Sequence, residues 1–196
     1  MAIKEIDQLK ILSFEKQLAF AYLTCERLYP NYLYFSTHYD FGNPLVLKHA
    51  LDFLHDSFFE NQFDNKKIDF SRNEIYRNTP DPGEFATILA SSALDACTAL
   101  RESLAFLKDK KFSRIIDIST FATDSVSMYV ENLESLDFNK DKDFRKKIDN
   151  HPLVKKEIEI QSKVISILTN IDMLIPENIQ TLLNFQHNNK KGSLNL

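Results

Sequence analysis

The chain has little glycine and no tryptophan, and only three glycines stand among its 196 residues. Rossmann and P-loop folds need several glycines close together after a strand, where the backbone approaches a phosphate. Gly42, Gly83 and Gly192 are far apart instead. The sequence therefore lacks both phosphate-binding loops, and we also find no nucleophile elbow and no zinc-finger spacing.

Cysteine is equally scarce, since Cys25 and Cys97 are the whole complement. No Cys-x-x-Cys motif is present and the N-terminus shows no secretory signal, so we expect two free, buried thiols. A catalytic or redox thiol is the alternative interpretation. No apolar run approaches the roughly 20 residues of a membrane helix. We therefore expect a cytoplasmic protein that does not bind membranes.

An excess of positive charge is also missing, because 28 acidic residues outnumber 24 basic ones and the net charge is −4. This balance argues against nucleic-acid binding, which usually requires a basic surface. It is compatible with a basic protein partner, although an excess of this size does not identify one.

The residues that are present favour helices. Sixteen Phe and seven Tyr can fill a bulky core, and five of the six prolines stand where a helix is expected to begin. No sustained two-residue alternation with hairpin turns is found. We predict an all-α fold, a single domain over residues 1–196 built as a bundle of about six to eight helices.

Apolar spacing locates the helices along the chain. The longest pattern, 82–107, has small residues that let neighbours approach, and it predicts the central helix of the bundle, capped by Asp81. The other predicted helices cover 4–11, 13–28, a short stretch from Asn31 to Phe41, 44–60, 67–77, 112–133, 152–171 and a short stretch after Pro176. Residues 137–149 are interpreted as a solvated linker, and residues 187–196 are predicted to fray.

Two patches within these helices, residues 25–32 and 93–100, combine a cysteine with charged side chains. A buried charge without a partner is costly, so we expect the two patches to meet. Arg27 would then pair with Asp95 or cap the turn at Tyr29. The alternative is a ligand or acid–base site. The candidate residues, structural or ligand-binding, are Cys25, Glu26, Arg27, Tyr29, Asn31, Tyr32, Asp95 and Cys97.

Two further clusters have ordinary explanations. The polar group His49, Asp52, His55 and Asp56 could hold a metal, but ligands usually come from more than one helix, so we interpret it as a solvated face. The tyrosines 29, 32, 34 and 39 could line a pocket or a partner surface, and core packing is the alternative. We predict no catalytic residue, no metal and no other cofactor.

The two patches resemble the YjaG-like family of bacterial helical proteins. Members carry a Cys-Glu-Arg-(Met/Leu)-Tyr-Pro-Asn motif, which residues 25–31 match, and a Phe-Gly pair, which Phe41 and Gly42 match. The helix motif Ala-(Ile/Leu)-Asp-Ala-Cys-x-Ala-Leu is matched by residues 93–100. The similarity covers about residues 10–170, and the tail after 173 departs from it. The resemblance implies a single all-helical domain and implies no activity.

Two functions compete at this stage. The sequence favours a non-catalytic binding or interaction protein, for example one that neutralises a toxin or a nuclease, and this predicts a concentrated acidic face. The rival is an enzyme or small-ligand protein with its site between the helices that carry Glu26, Arg27 and Asp95, which predicts a pocket open to solvent. The sequence permits a homodimer without specifying one.

Overall fold

The computed structural model describes residues 3, 5–60, 62–187 and 192–196, and regular structure in that part of the chain is exclusively helical. The all-α prediction is confirmed. The helices are α1 (Phe14–Tyr39), α2 (Pro44–Asp56), α3 (Asn65–Arg77), α4 (Ile88–Asp109), α5 (Phe112–Leu133), α6 (Phe144–Asn150), α7 (Pro152–Asn170) and α8 (Pro176–His187). Short 3-10 turns cover Ile6–Ile11, Ser57–Phe59 and Pro82–Glu84.

Two helices share the centre of the bundle, where the sequence predicted one. α4 packs against α1, α2, α3 and α5, while α1 packs against α2, α4, α5, α7 and α8. Every side chain of α1 from Lys16 to Cys25 is buried, so this part of the helix has no solvent face. The first motif, residues 25–31, follows directly on this buried stretch in the middle of α1.

The predicted break at Pro30 is wrong, because α1 continues through this residue to Tyr39. Proline has no N–H to donate and ordinarily costs a helix interior about 3 kcal/mol. Leu28 and Tyr32 on either side are fully buried, and their tertiary packing outweighs that cost. Asn31, the expected N-cap, lies inside the helix. α1 ends at its C-cap Asp40, whose backbone is left-handed, and the chain turns again at Gly42, whose φ of +68° suits glycine and whose missing Cβ leaves room for the Tyr32 hydroxyl.

The predicted start of α4 at Pro82 is also wrong. Asp81 caps only a short 3-10 turn, accepting a hydrogen bond from the Gly83 N–H at 2.9 Å. The backbone of Phe85 is extended, and α4 begins after Thr87, whose hydroxyl caps it. The extended segment lets the Phe85 ring pack edge-on against Phe35, with the centroids 5.0 Å apart. Aromatic packing thus overrides the capping pattern.

A second, smaller core corrects two further predictions. The expected linker at 137–149 contains α6, which contributes Phe144 and Ile148 to a cluster with α5 and α7. Leu194 completes this cluster and is buried, so residues 192–196 are docked rather than frayed. We call residues 192–196 the strap. Residues 188–191 of the predicted tail lie outside the described part of the chain.

Candidate functional site

The two motif patches meet where α1 packs against α4, as predicted. The Cys25 Sγ lies 3.2 Å from the Ser103 hydroxyl of α4. The Tyr32 hydroxyl donates to the Asn78 carbonyl at 2.8 Å, and the Cys97 Sγ lies 3.9 Å from the same oxygen. The patches are therefore joined by packing and by one shared carbonyl rather than by opposite charges.

The predicted pairing of Arg27 with Asp95 is wrong, because the Arg27 guanidinium donates to Glu157 of α7. Only 7% of the Arg27 side chain and 1% of Glu157 are exposed. Gln161 donates to the second Glu157 oxygen at 2.8 Å and accepts from the Ser119 hydroxyl at 2.7 Å. This buried network links α1, α7 and α5. Glu157 was missed from the sequence, and the structure places it one turn before Gln161 on the buried side of α7.

The rest of the first motif forms a seat for the strap. The Asn31 amide donates to the Ser193 hydroxyl at 2.8 Å, and the Ser193 N–H donates to the Arg27 carbonyl at 3.1 Å. A Cβ on Gly192 would lie 2.8 Å from the Pro30 Cβ, so only glycine fits without a shift. The sequence Arg27-Leu-Tyr-Pro30-Asn31 thus binds a segment about 160 residues further along the chain.

Both thiols are buried and protonated. Desolvation raises the pKa of Cys25 to about 12 and that of Cys97 to about 12. A nucleophilic cysteine needs a lowered pKa and some exposure, so these positions are chemically unsuited to thiolate catalysis. Each behaves as a small core residue.

Asp95 lies apart from the Arg27 network, on the side of α4 that faces α5. Burial raises the pKa of Asp95 to about 7, and the neighbouring Asp124 carboxylate adds to this shift. One Asp95 carboxylate oxygen is buried without a hydrogen-bond partner. Glu26 in turn contacts the Lys48 ammonium of α2 at 3.5 Å. The structure therefore directs Glu26, Arg27 and Asp95 toward three different helices and does not gather them in one site.

The tyrosine cluster and the histidine–aspartate cluster are likewise dispersed. Tyr34 stacks on His38 at 3.8 Å between centroids, whereas Tyr39 stacks on Phe35 at 5.0 Å. Asp52 pairs with Lys48 at 3.1 Å. Across the described residues, His, Cys, Asp and Glu form no group of three that could hold a metal ion.

A groove of about 710 Å³ lies at the far end of the hairpin formed by α4 and α5. Ile88 of α4, Met128 and Glu131 of α5, and the loop 135–141 line it. Met128 and Phe138 are exposed large apolar side chains at this groove. Its lining therefore mixes apolar contact area with carboxylates, as binding surfaces commonly do.

Glu131, Asp137 and Asp141 stand at this groove together with Lys140, and further carboxylates extend away from it along α5. Asp117, Asp124 and Glu131 recur every seven residues and so form one line along α5. Asp95 faces this line from α4. Residues 86–100 and 115–134 contain neither Lys nor Arg, so their carboxylates have no cation within the same segments. We call the groove with Asp95, Asp117, Asp124 and Glu131 the acidic face.

No helix in the described part of the chain is both long and apolar enough to cross a bilayer. That finding matches the absence of long apolar runs in the sequence.

Comparison with known proteins now places the chain. The family model described as "Protein of unknown function (DUF416)" matches residues 4–195, which includes all but the last residue of the strap that the motif resemblance left out. The chain is 24% identical over 168 residues to the uncharacterized protein YjaG of Salmonella typhimurium, covering 84% of this chain and 82% of that protein. It is 24% identical over 164 residues to YjaG of Escherichia coli, covering 82% and 80% of the two chains.

A solved structure agrees with the sequence comparisons. The crystal structure of a DUF416 family protein from Shewanella baltica superposes with a TM-score of 0.86 at 26% identity, covering 96% of each chain. The chain belongs to the DUF416 family of proteins of unknown function.

Proposed function

We propose that this protein is a non-catalytic binding protein that engages a basic protein partner through its acidic face. The observation that carries the proposal is the row of carboxylates on helical segments free of Lys and Arg, which reaches the groove of about 710 Å³ at Glu131. Toxins and nucleases that act on nucleic acid carry basic surfaces, because they bind phosphates. Neutralisation of such a protein is the specific form of the proposal.

The chemistry of the face suits this partner. Carboxylates aligned along one helix attract a basic surface over a distance and raise the association rate. Met128 and Phe138 then offer apolar area for close contact, and a flexible methionine adapts to different shapes. The half-buried Asp95, which has an unpaired oxygen, would gain a partner from a docked cation.

The rival enzyme interpretation has less support. It required Glu26, Arg27 and Asp95 around one pocket open to solvent. Arg27 instead pairs with Glu157 inside the core, with the Arg27 Nε left without a partner, and Asp95 faces a different helix. The buried network supports a structural role for Arg27 within the first motif.

The test is titration calorimetry with a defined probe, a synthetic amphipathic helix carrying lysine on one face and leucine on the other. We expect salt-sensitive binding to the wild type and loss of binding for the triple variant Asp117→Asn, Asp124→Asn, Glu131→Gln. The matched control, Glu159→Gln, Asp172→Asn, Glu177→Gln, removes the same charge from the exposed side of α7, from the loop after α7 and from the start of α8. Equal weakening by both triple variants, or no binding to the wild type, would contradict the proposal.

A further inference from the structure

The outer surface of α2 and α3 carries a second set of exposed features. The Lys67 ammonium lies over the Phe53 ring at 4.3 Å from its centroid, so the start of α3 lies beside the end of α2. Val46, His49 and Ala50 of α2 line a shallow groove of about 200 Å³ together with Phe70, Ser71 and Glu74 of α3. The two helices are therefore antiparallel neighbours, in an approximate register in which the numbers of opposite residues add up to about 120.

Large apolar side chains stand on this surface. Phe70 on α3 is 65% exposed and Leu45 on α2 is 59% exposed. Val46, His49 and Ala50 form the wall of the groove on the α2 side. The surface thus contains both a projecting aromatic ring and a recess of matching apolar character, and such patches on soluble proteins commonly mark contact sites.

Charges of both signs border the apolar features. Asp52 and Asp56 are exposed on α2, one turn apart and in line with His49, with Asp52 also paired with Lys48 at 3.1 Å and Asp56 3.6 Å from the His55 ring. Lys66 is exposed on α3, one turn before Phe70. The register places Lys66 level with residue 54, between the two aspartates. The acidic edge on α2 and the basic edge on α3 therefore lie at the same height.

We propose that a second copy of this chain occupies the α2–α3 surface, related by a twofold axis parallel to the two helices. A rotation of 180° about this axis leaves each residue at the same position along the helix direction and swaps the two helices side to side. α2 of one copy therefore faces α3 of the other. Phe70 of each copy then meets the partner's groove at Ala50, and Lys66 meets the partner's Asp52 and Asp56. One surface supplies both halves of each contact, as an isologous interface requires.

A different occupant would not need this self-complementarity. A foreign partner could use the ring, the recess or either charge alone. The aromatic ring lies level with the groove, and the aspartates of α2 lie level with Lys66 of α3. This agreement in position along the helices favours a second copy. The acidic face on α4 and α5 takes no part in this contact. Failure of the dimer proposal and failure of the proposed function can therefore be distinguished.

The test is sedimentation analysis of the full chain over a range of concentrations. We expect a reversible dimer for the wild type and a monomer for Phe70→Ser. The matched control is Tyr76→Ser, because Tyr76 is 64% exposed on the same helix but faces Arg101 of α4. This control should dimerise like the wild type. A wild type that stays monomeric, or Phe70→Ser dimerising unchanged, would overturn the inference.

Charge reversal tests the geometry itself. Asp56→Lys places two cations opposite each other and Lys66→Glu places two or three carboxylates together, so each should weaken dimerisation about tenfold. The double variant Asp56→Lys, Lys66→Glu restores the attraction with its sign exchanged and should recover the wild-type dissociation constant. Additive weakening in the double variant would rule out the proposed facing of α2 and α3.

Discussion

Arg27 and Asp95 show how differently one protein treats two charged side chains in its helical core. The Arg27 guanidinium is almost fully buried and is bound by Glu157, which Gln161 holds in turn. Asp95 is less deeply buried, has an unpaired oxygen and faces another carboxylate across α5. The sequence suggested that these two residues pair with each other. The comparison teaches that burial depth alone does not decide the cost of a charge, because partners do.

The two outcomes differ in chemistry as well as in geometry. Arg27 keeps its charge because Glu157 supplies an opposite one within the same dry region. Asp95 meets desolvation and a like charge together, so its pKa rises to about 7 and a large fraction stays protonated at neutral pH. The first arrangement serves stability, while the second leaves a group whose charge responds to pH or to a bound cation.

The largest effect should come from breaking the Arg27 pair. Glu157→Ala leaves a buried guanidinium without its partner, and such a loss costs about 3–5 kcal/mol of unfolding free energy. Urea unfolding measures it. Glu159→Ala, two residues along on the exposed side of α7, is the control and should change stability by less than about 0.5 kcal/mol. A Glu157→Ala protein within 1 kcal/mol of the wild type would show that the pair contributes little.

A smaller effect should follow from disturbing the seat of the strap beside Arg27. Gly192→Ala puts a methyl group 2.8 Å from the Pro30 Cβ and 2.9 Å from the Asn31 side-chain oxygen, so we expect a loss of about 1–3 kcal/mol. Thermal unfolding measures it. Gly83→Ala is the control, because its new Cβ comes no closer than 3.3 Å to Asp81. Equal melting temperatures for the two variants would mean that the strap shifts to accommodate the added methyl group without loss of stability.

An effect of the opposite sign should appear on the Asp95 side. A folded protein loses stability through a carboxyl of raised pKa as the pH climbs from the unfolded pKa near 4 to the folded pKa near 7. Asp95→Asn removes this loss, so the variant should be more stable than the wild type at pH 8, by up to about 4 kcal/mol for a shift of about three pKa units. The advantage should shrink toward pH 4. Unfolding free energies measured between pH 4 and 8 give the curve.

The exposed Asp117 provides the comparison for this pH profile. Asp117→Asn should follow the wild type at every pH, since that side chain stands in solvent on the same helix as Asp124. If the difference in unfolding free energy between Asp95→Asn and the wild type stayed constant from pH 4 to pH 8, this would contradict the raised pKa of Asp95.

Much of the fold could be predicted from local signals. α2 and α7 begin where a proline follows a capping residue, and the structure starts both at Pro44 and Pro152 after the caps Asn43 and His151. α5 was predicted at 112–133 from its apolar period and spans Phe112–Leu133. These signals succeed because the first turn of a helix is decided by a few neighbouring residues.

The wrong or missing predictions have a different physical origin, because each of these features depends on contacts with residues far away in the chain. Pro30 looked like a helix break, but buried neighbours on both sides hold α1 together. Glu157 lies 130 residues from Arg27, and nothing local marks it as the partner. The strap has the polar composition of a loose tail, yet Ser193 and Leu194 dock on α1 and the second core. Local composition cannot reveal contacts made by the tertiary fold.

The docking of the strap also has a consequence for the order of assembly. The bond between Asn31 and Ser193 closes a loop of 162 residues, and Leu194 fills the last place in the second core. Contacts between such distant residues form late, because the entropy of closing the loop must first be offset. During synthesis the seat around Pro30 therefore stays empty until the strap has been made and can reach it. Proteolysis of the nascent chain near Pro30 should cease only after residue 194 has left the ribosome.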